Sequence, residues 1–163
     1  REQRLRLALQ QAGGSFDVVI VDTPPSLGLL TINGLSAAEW VLIPVQAEFY
    51  SLEGMGQMLE MIKDVQRSIN PSLKMFGIAM TLVQSNSRLG EKVAEQARKH
   101  FGDRVFETEI PRLVAIAEAP LEGAPIVIAK SPNKSNPGSS AYWELAKEAS
   151  HRIDRILGSR ESS

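Results

Sequence analysis

Two rhythms of apolar residues alternate along this chain: short β-branched runs, and stretches in which apolar positions recur every three to four residues. Leu5, Ala8, Leu9 and Ala12 fall on one helical face, and Gly13-Gly14 stops that helix. Val18-Val19-Ile20-Val21 is apolar at every position, which predicts a strand buried on both faces. Asp22 ends it, and Thr23-Pro24-Pro25-Ser26 must leave a sheet because proline cannot donate to a ladder. A short helix over 32–38 then leads to a second strand, Val41-Leu42-Ile43-Pro44-Val45. A long helix over about 52–69 follows, with a stripe of Met55, Met58, Ile62, Val65 and Ile69 and a stop at Pro71. A third strand is expected at about 75–81, then the polar loop Gln84-Ser85-Asn86-Ser87 and a charged helix over 88–100. A fourth strand lies near 105–110. Pro111-Arg112 opens a loop with one helical turn before Pro120, and 126–128 reads as a fifth strand. Residues 131–140 form an exposed loop. The last helix, about 139–157, is expected to bury Tyr142, Leu145, Ala149, Ile153 and Ile156, and 158–163 forms a frayed tail. Strands alternating with helices in this order predict an α/β fold, a mainly parallel sheet with helices on both faces.

Composition narrows the chemistry. With 163 residues, 43% hydrophobic and 23% charged, the chain has the make-up of one globular domain, and without cysteine it offers no disulfide, thiol nucleophile, zinc ribbon or iron–sulfur cluster. Eighteen basic and nineteen acidic residues leave a net charge of -1, so any attraction to nucleic acid must come from a local patch. No apolar run reaches the roughly 18 residues of a membrane span. The charged, amphipathic opening does not resemble a signal peptide. The two histidines, His100 and His151, are far apart and lack a partner at ligand spacing, which argues against a metal centre or a catalytic triad.

Open parallel sheets place their ligands at strand carboxyl ends, which draws attention to Asp22. Four apolar residues ending in Asp fit the acidic motif by which P-loop nucleotidases hold magnesium. They also fit a plain strand end whose short side chain caps the next turn. The surrounding residues extend the pattern. The run Phe16-Asp17-Val18-Val19-Ile20-Val21-Asp22-Thr23-Pro24-Pro25-Ser26-Leu27-Gly28 resembles the Walker B and switch II segment of the ParA/Soj/MinD class of deviant-Walker ATPases. Thr31-Ile32-Asn33-Gly34-Leu35-Ser36-Ala37-Ala38 resembles the helix that follows it, and Pro44-Val45-Gln46-Ala47-Glu48-Phe49-Tyr50-Ser51-Leu52-Glu53-Gly54 resembles that class's P-x-Q-x-E-x-Y-S-L-E-G stretch. Ile110-Pro111-Arg112, Glu118-Ala119-Pro120, Gly123, Gly138, Ala141-Tyr142 and Leu145-Ala146 keep the order of its carboxyl-terminal part. The likeness covers roughly residues 2–157 and is greatest to chromosome- and plasmid-partitioning members. The missing cysteines separate it from nitrogenase iron-protein relatives, and its polar end from members with a membrane-targeting helix.

The resemblance implies ATP and magnesium as ligands, a homodimer, non-specific DNA and a ParB-like centromere-binding protein as partners, no membrane, and a cytoplasmic, nucleoid-associated setting. It casts Asp22 as an indirect magnesium ligand and switch II anchor, with Thr23, Pro24 and Pro25 shaping the switch; as residues alone, these three equally form a rigid turn. Pro111 and Arg112 correspond to the nucleotide-binding segment beside adenine, or to a plain turn with a surface arginine. Gln46 and Glu48 correspond to the dimer interface, or to ordinary loop residues. For DNA, Lys147 and Arg155 share a face of the last helix with His151; Arg152 lies alongside, and Lys130 and Lys134 precede it. The plainer reading of that stripe is a solvated face with Glu148 paired to Arg152. Gln84, Asn86, Leu113 and Ala115 depart from the class's usual residues near these sites.

The chain contains no K-G-G-x-G-K-S/T phosphate loop, and its first residue is Arg. It is therefore expected to be the carboxyl-terminal portion of a partitioning ATPase, with residues 1–157 forming part of one nucleotidase domain, inactive by itself. In the class's architecture the phosphate-loop strand adjoins the Walker B strand, so the flank of residues 18–21 would be uncovered. Alternatives are a non-enzymatic dimerisation or DNA-interaction module, or a related ATPase that positions another cargo.

Overall fold

A computed structural model describes residues 1–14, 16–24, 26, 28–48, 51–84, 87–128 and 136–161. Its elements are α1 (Arg4–Ala12), α2 (Leu29–Ala37), β1 (Trp40–Gln46), α3 (Ser51–Ser68), β2 (Lys74–Thr81), α4 (Arg88–Phe101), α5 (Val114–Glu118) and α6 (Pro137–Glu161), with 3-10 turns at Gly102–Arg104 and Ala119–Glu122. β1 and β2 form a two-stranded sheet. Backbone bonds from Lys74 N–H to Glu39 O and from Ala47 N–H to Thr81 O advance in the same direction on both strands, so the pairing is parallel. The chain divides into two compact units, one of residues 1–42 and 52–76 and the other of 43–51 and 77–163.

In the first unit, α3 buries Met55, Ile62 and Val65, as the helical stripe predicted, and Leu73 is buried as well. Asn70 is the polar keystone. Its Nδ2 donates to the Leu35 and Ala38 carbonyls at 2.9 and 2.7 Å, satisfying acceptors left over where α2 ends. From the middle of α2, Asn33 Oδ1 accepts from the Arg4 N–H at 3.1 Å and so caps α1.

The second unit is built on the carboxyl half of β2, where Ile78, Ala79 and Met80 are buried with Ile43, Val45, Phe106 and Ile110. Fully burying one such side chain stabilises by about 1.5–3 kcal/mol. The buried face of α4 carries Val93, Ala94 and Ala97. Ser87 Oγ accepts from the Gly90 N–H to start this helix, Arg98, Lys99 and His100 occupy its last turn, and Gly102 at φ +56° ends it. A Cβ on Gly77 would lie 2.5 Å from a Phe106 ring carbon and 2.8 Å from the Arg104 carbonyl, so only glycine admits this close crossing.

Four expectations are corrected. Residues 18–21 form no strand, and Val18, Val19 and Ile20 are exposed, Ile20 by 90%. Among the described residues no strand pairs with this segment. The fourth strand is interrupted. Phe106 N–H donates to Ile78 O and Ile110 N–H to Met80 O, so two extra residues leave the ladder between them, and only isolated parallel bridges remain. Residues 126–128 form a turn, with Ile128 exposed, because no neighbouring strand offers them a ladder among the described residues. Finally, α6 starts at Pro137, earlier than expected, and continues helically through Glu161 where a tail from 158 was expected; Tyr142 is exposed. Leu145, Ala149, Ile153 and Ile156 are half-buried.

Candidate functional site

In the first unit, Asp22 lies on an irregular extended stretch with its side chain exposed, and among the described residues no hydrogen bond or ion pair engages its carboxylate. The turn after it is held from α2. Thr31, 3% exposed, donates its hydroxyl to the Ser26 carbonyl at 2.5 Å and lies 3.3 Å from the Pro24 carbonyl. Ser26 N–H closes a tighter turn onto the same Pro24 oxygen at 2.7 Å. Thr23 packs on α2 at Gly34, where an added Cβ would meet Thr23 Cγ2 at 2.7 Å. The Thr31 hydroxyl and the Gly34 backbone thus shape the turn beyond Asp22. Neither was singled out as a site residue, although both lie in the Thr31-Ile32-Asn33-Gly34 motif. Pro25 lies outside the described residues.

In the second unit, the ends of three segments meet. Ala47 N–H reaches the Thr81 carbonyl, Val83 N–H reaches the Ile110 carbonyl, and Arg112 N–H reaches the Val83 carbonyl at 2.9 Å. This backbone lattice brings two sequence candidates together: Arg112 Nη1 lies 3.3 Å from Glu48 Oε1, both side chains being about half exposed. Such a pair is worth at most about 1 kcal/mol. Gln46 is exposed at the end of β1, and Pro111 is half-buried in a parallel bridge to Val83.

The basic stripe is less open than the sequence suggests. Lys147 pairs with Glu144 at 2.8 Å on the exposed face. Arg152 is engaged: it bonds Glu148 at 2.9 Å and the Val105 carbonyl at 3.2 Å, and its guanidinium lies 3.9 Å from the Phe106 ring centroid. Arg155 and His151 are exposed. Lys130 and Lys134 lie outside the described residues.

Glu148 is the residue the sequence reading saw only as a salt-bridge partner. Its two carboxylate oxygens accept the N–H groups of Glu107 and Thr108, each at 3.0 Å. These are the residues that leave the β2 ladder, so a side chain on α6 replaces the carbonyls a strand would have supplied. Partial burial raises the Glu148 pKa, but the amides of Thr108 and Glu107 with the Arg152 guanidinium outweigh it and hold the carboxyl below its ordinary value.

The family likeness raises the question of magnesium and a nucleotide. Magnesium demands near-octahedral oxygen coordination. Among the described residues no group of three or more His, Cys, Asp or Glu can hold a metal, and the sequence carries no phosphate loop. Asp22 contributes a single exposed carboxylate at the end of residues 18–21.

A family model described as an AAA domain matches residues 1–75. The sporulation initiation inhibitor protein Soj of Bacillus subtilis is 43% identical over 148 residues, covering 91% of this chain and 57% of Soj. The chromosome partitioning protein ParA of Myxococcus xanthus is 43% identical over 152 residues, covering 93% of this chain and 53% of that protein. The chain thus spans about half the length of the curated relatives it matches. Among solved structures, cobyrinic acid a,c-diamide synthase from Mycobacterium smegmatis with bound ADP and magnesium superposes with a TM-score of 0.70 at 36% identity, over 90% of this chain and 51% of that one. The cell division ATPase MinD of Pyrococcus furiosus gives a TM-score of 0.69 at 20% identity, over 96% and 59%, a likeness of fold alone.

Proposed function

We propose that this chain, similar to Soj and ParA over the length it spans, supplies the Walker B and switch II portion of a ParA/Soj/MinD-type partitioning ATPase. The observation that carries this reading is the Thr31 latch behind Asp22, which presents one exposed carboxylate on a turn fixed by α2. In this reading Asp22 is directed toward magnesium through water, and the turn at Thr23 and Pro24, with Pro25, transmits the state of the nucleotide site. Pro111 and Arg112 line the adenine side, and Gln46 and Glu48 face a second copy of the protein. The phosphate-binding residues come from a loop that residues 1–163 do not contain, so this chain alone does not hold ATP. The whole enzyme dimerises with ATP on nucleoid DNA, and a ParB-like centromere-binding partner stimulates hydrolysis. Lys147 and Arg155 are the described cations that serve DNA, with Lys130 and Lys134 beside them in sequence. Arg152 acts there only if its bonds to Glu148 and the Val105 carbonyl are given up. No helix among the described residues is long and apolar enough to cross a membrane.

Calorimetric titration of residues 1–163 with magnesium ATP is expected to show no micromolar binding; a micromolar isotherm overturns the division of labour proposed here. For the DNA surface, Lys147→Glu combined with Arg155→Glu is expected to reduce salt-sensitive binding to mixed-sequence duplex by at least about tenfold. Unchanged binding removes α6 from that surface.

A further inference from the structure

The ladder between β2 and residues 105–112 changes register at one residue. Ile110 N–H donates to Met80 O, so an uninterrupted parallel ladder would next use the Leu82 N–H to reach Ile110 O. The donor is instead Val83, at 3.0 Å, and Leu82 is one residue in excess. Its φ is +53°, and among the described residues no other non-glycine residue has a positive φ. This is a β-bulge in the left-handed conformation, a place where glycine is the usual occupant because a Cβ strains it. Leu82 is half-buried and lies at the strand end, next to the segment that carries Pro111 and Arg112.

We propose that Leu82 is a positioning residue, whose left-handed backbone sets Val83 so that it fixes Arg112 beside Glu48. The chain of bonds is explicit. The bulge brings Val83 N–H to Ile110 O, the Val83 carbonyl takes the Arg112 N–H, and the Arg112 guanidinium then meets Glu48 at 3.3 Å. Were Leu82 extended instead, its own N–H and carbonyl would take these two bonds, and Val83 would be out of step with both partners. The bulge therefore decides where the Arg112 guanidinium is presented. Its importance for nucleotide rests on the reading of Arg112 given above, but its effect on backbone geometry does not.

Amide hydrogen exchange on the whole chain separates the two. Leu82→Gly and Leu82→Asn tolerate a positive φ and are expected to keep protection at the Val83 and Arg112 amides within about threefold. Leu82→Val, β-branched and strained there, is expected to lose about tenfold or more at both, while the Phe106 amide, bonded to Ile78 upstream of the bulge, is unchanged. If Leu82 acts only as an apolar filler the order reverses, with Val retained and Gly and Asn impaired; that result overturns the proposal, as does equal protection in all three variants. Should Leu82→Val fail to fold, Gly and Asn still decide, since loss of Val83 and Arg112 protection in both overturns it. Failure of ATP chemistry in a longer protein leaves this exchange pattern unaffected, so the two readings fail separately.

Discussion

Glu148 shows how a single side chain substitutes for secondary structure. The amides of Glu107, which is exposed, and Thr108, which is half-buried, have left the ladder, and a hydrogen bond to a charged group contributes about 1.5–3 kcal/mol, less where water can replace it. Glu148→Ala is therefore expected to lower unfolding free energy by about 2 kcal/mol in a urea titration, more than truncation of exposed Lys147. Because the folded pKa is depressed, the stabilisation is complete above the unfolded value of about 4.3 and is lost as pH falls through the lower folded value. Acid unfolding of wild type and Glu148→Gln measures that window: the wild type should lose part of its advantage below about pH 4.3. Gly77 has the opposite character, since its role is to carry nothing. Gly77→Ala should cost about 1–3 kcal/mol by forcing Phe106 or the Arg104 carbonyl to move, as thermal unfolding would report.

At the level of elements, residues 18–21 and 78–80 have similar apolar sequences and different environments. Ile20 is 90% exposed and Ile78 fully buried between neighbours. Ile20→Ala is expected to change stability by less than about 0.5 kcal/mol and Ile78→Ala to cost about 2–5 kcal/mol, both measured by denaturant unfolding. Periodicity located α3, α4, β1 and β2 closely, because each satisfies its own hydrogen bonds or has an adjacent ladder. It overstated strands at 18–21 and 126–128, since composition reports a preference for burial and not whether a partner strand exists. The division of the fourth strand was not legible, because the residue that permits it, Glu148, lies some forty positions later and looks like an ordinary helical Glu paired with Arg152. Asp22, Glu48 and Arg112 were legible from motif order, while the Glu48–Arg112 contact needed the bulge at Leu82, which no local pattern announces.

Over the whole molecule, a net charge of -1 gives little electrostatic repulsion between copies, and Phe16, Val18, Val19 and Ile20 form an exposed apolar run with no ladder among the described residues. Ile20→Lys is expected to raise the concentration at which static light scattering detects association; no change would locate the sticky surface elsewhere. The chain matches its curated relatives over about half of their length, and residues 1–163 contain no K-G-G-x-G-K-S/T loop.

The way β2 is flanked in the second unit also bears on biosynthesis. Its carboxyl half bonds to Ala47 on one side and to Phe106 and Ile110 on the other, and both partners are distant in sequence. During synthesis from the amino terminus, one side of Ile78 and Met80 has no partner until residues 105–112 have left the ribosome. Glu148 and α6 must emerge later still before Glu107 and Thr108 are satisfied. In that interval the nascent chain presents an unpaired, strongly apolar strand edge, the kind of surface that chaperones bind and neighbouring chains capture.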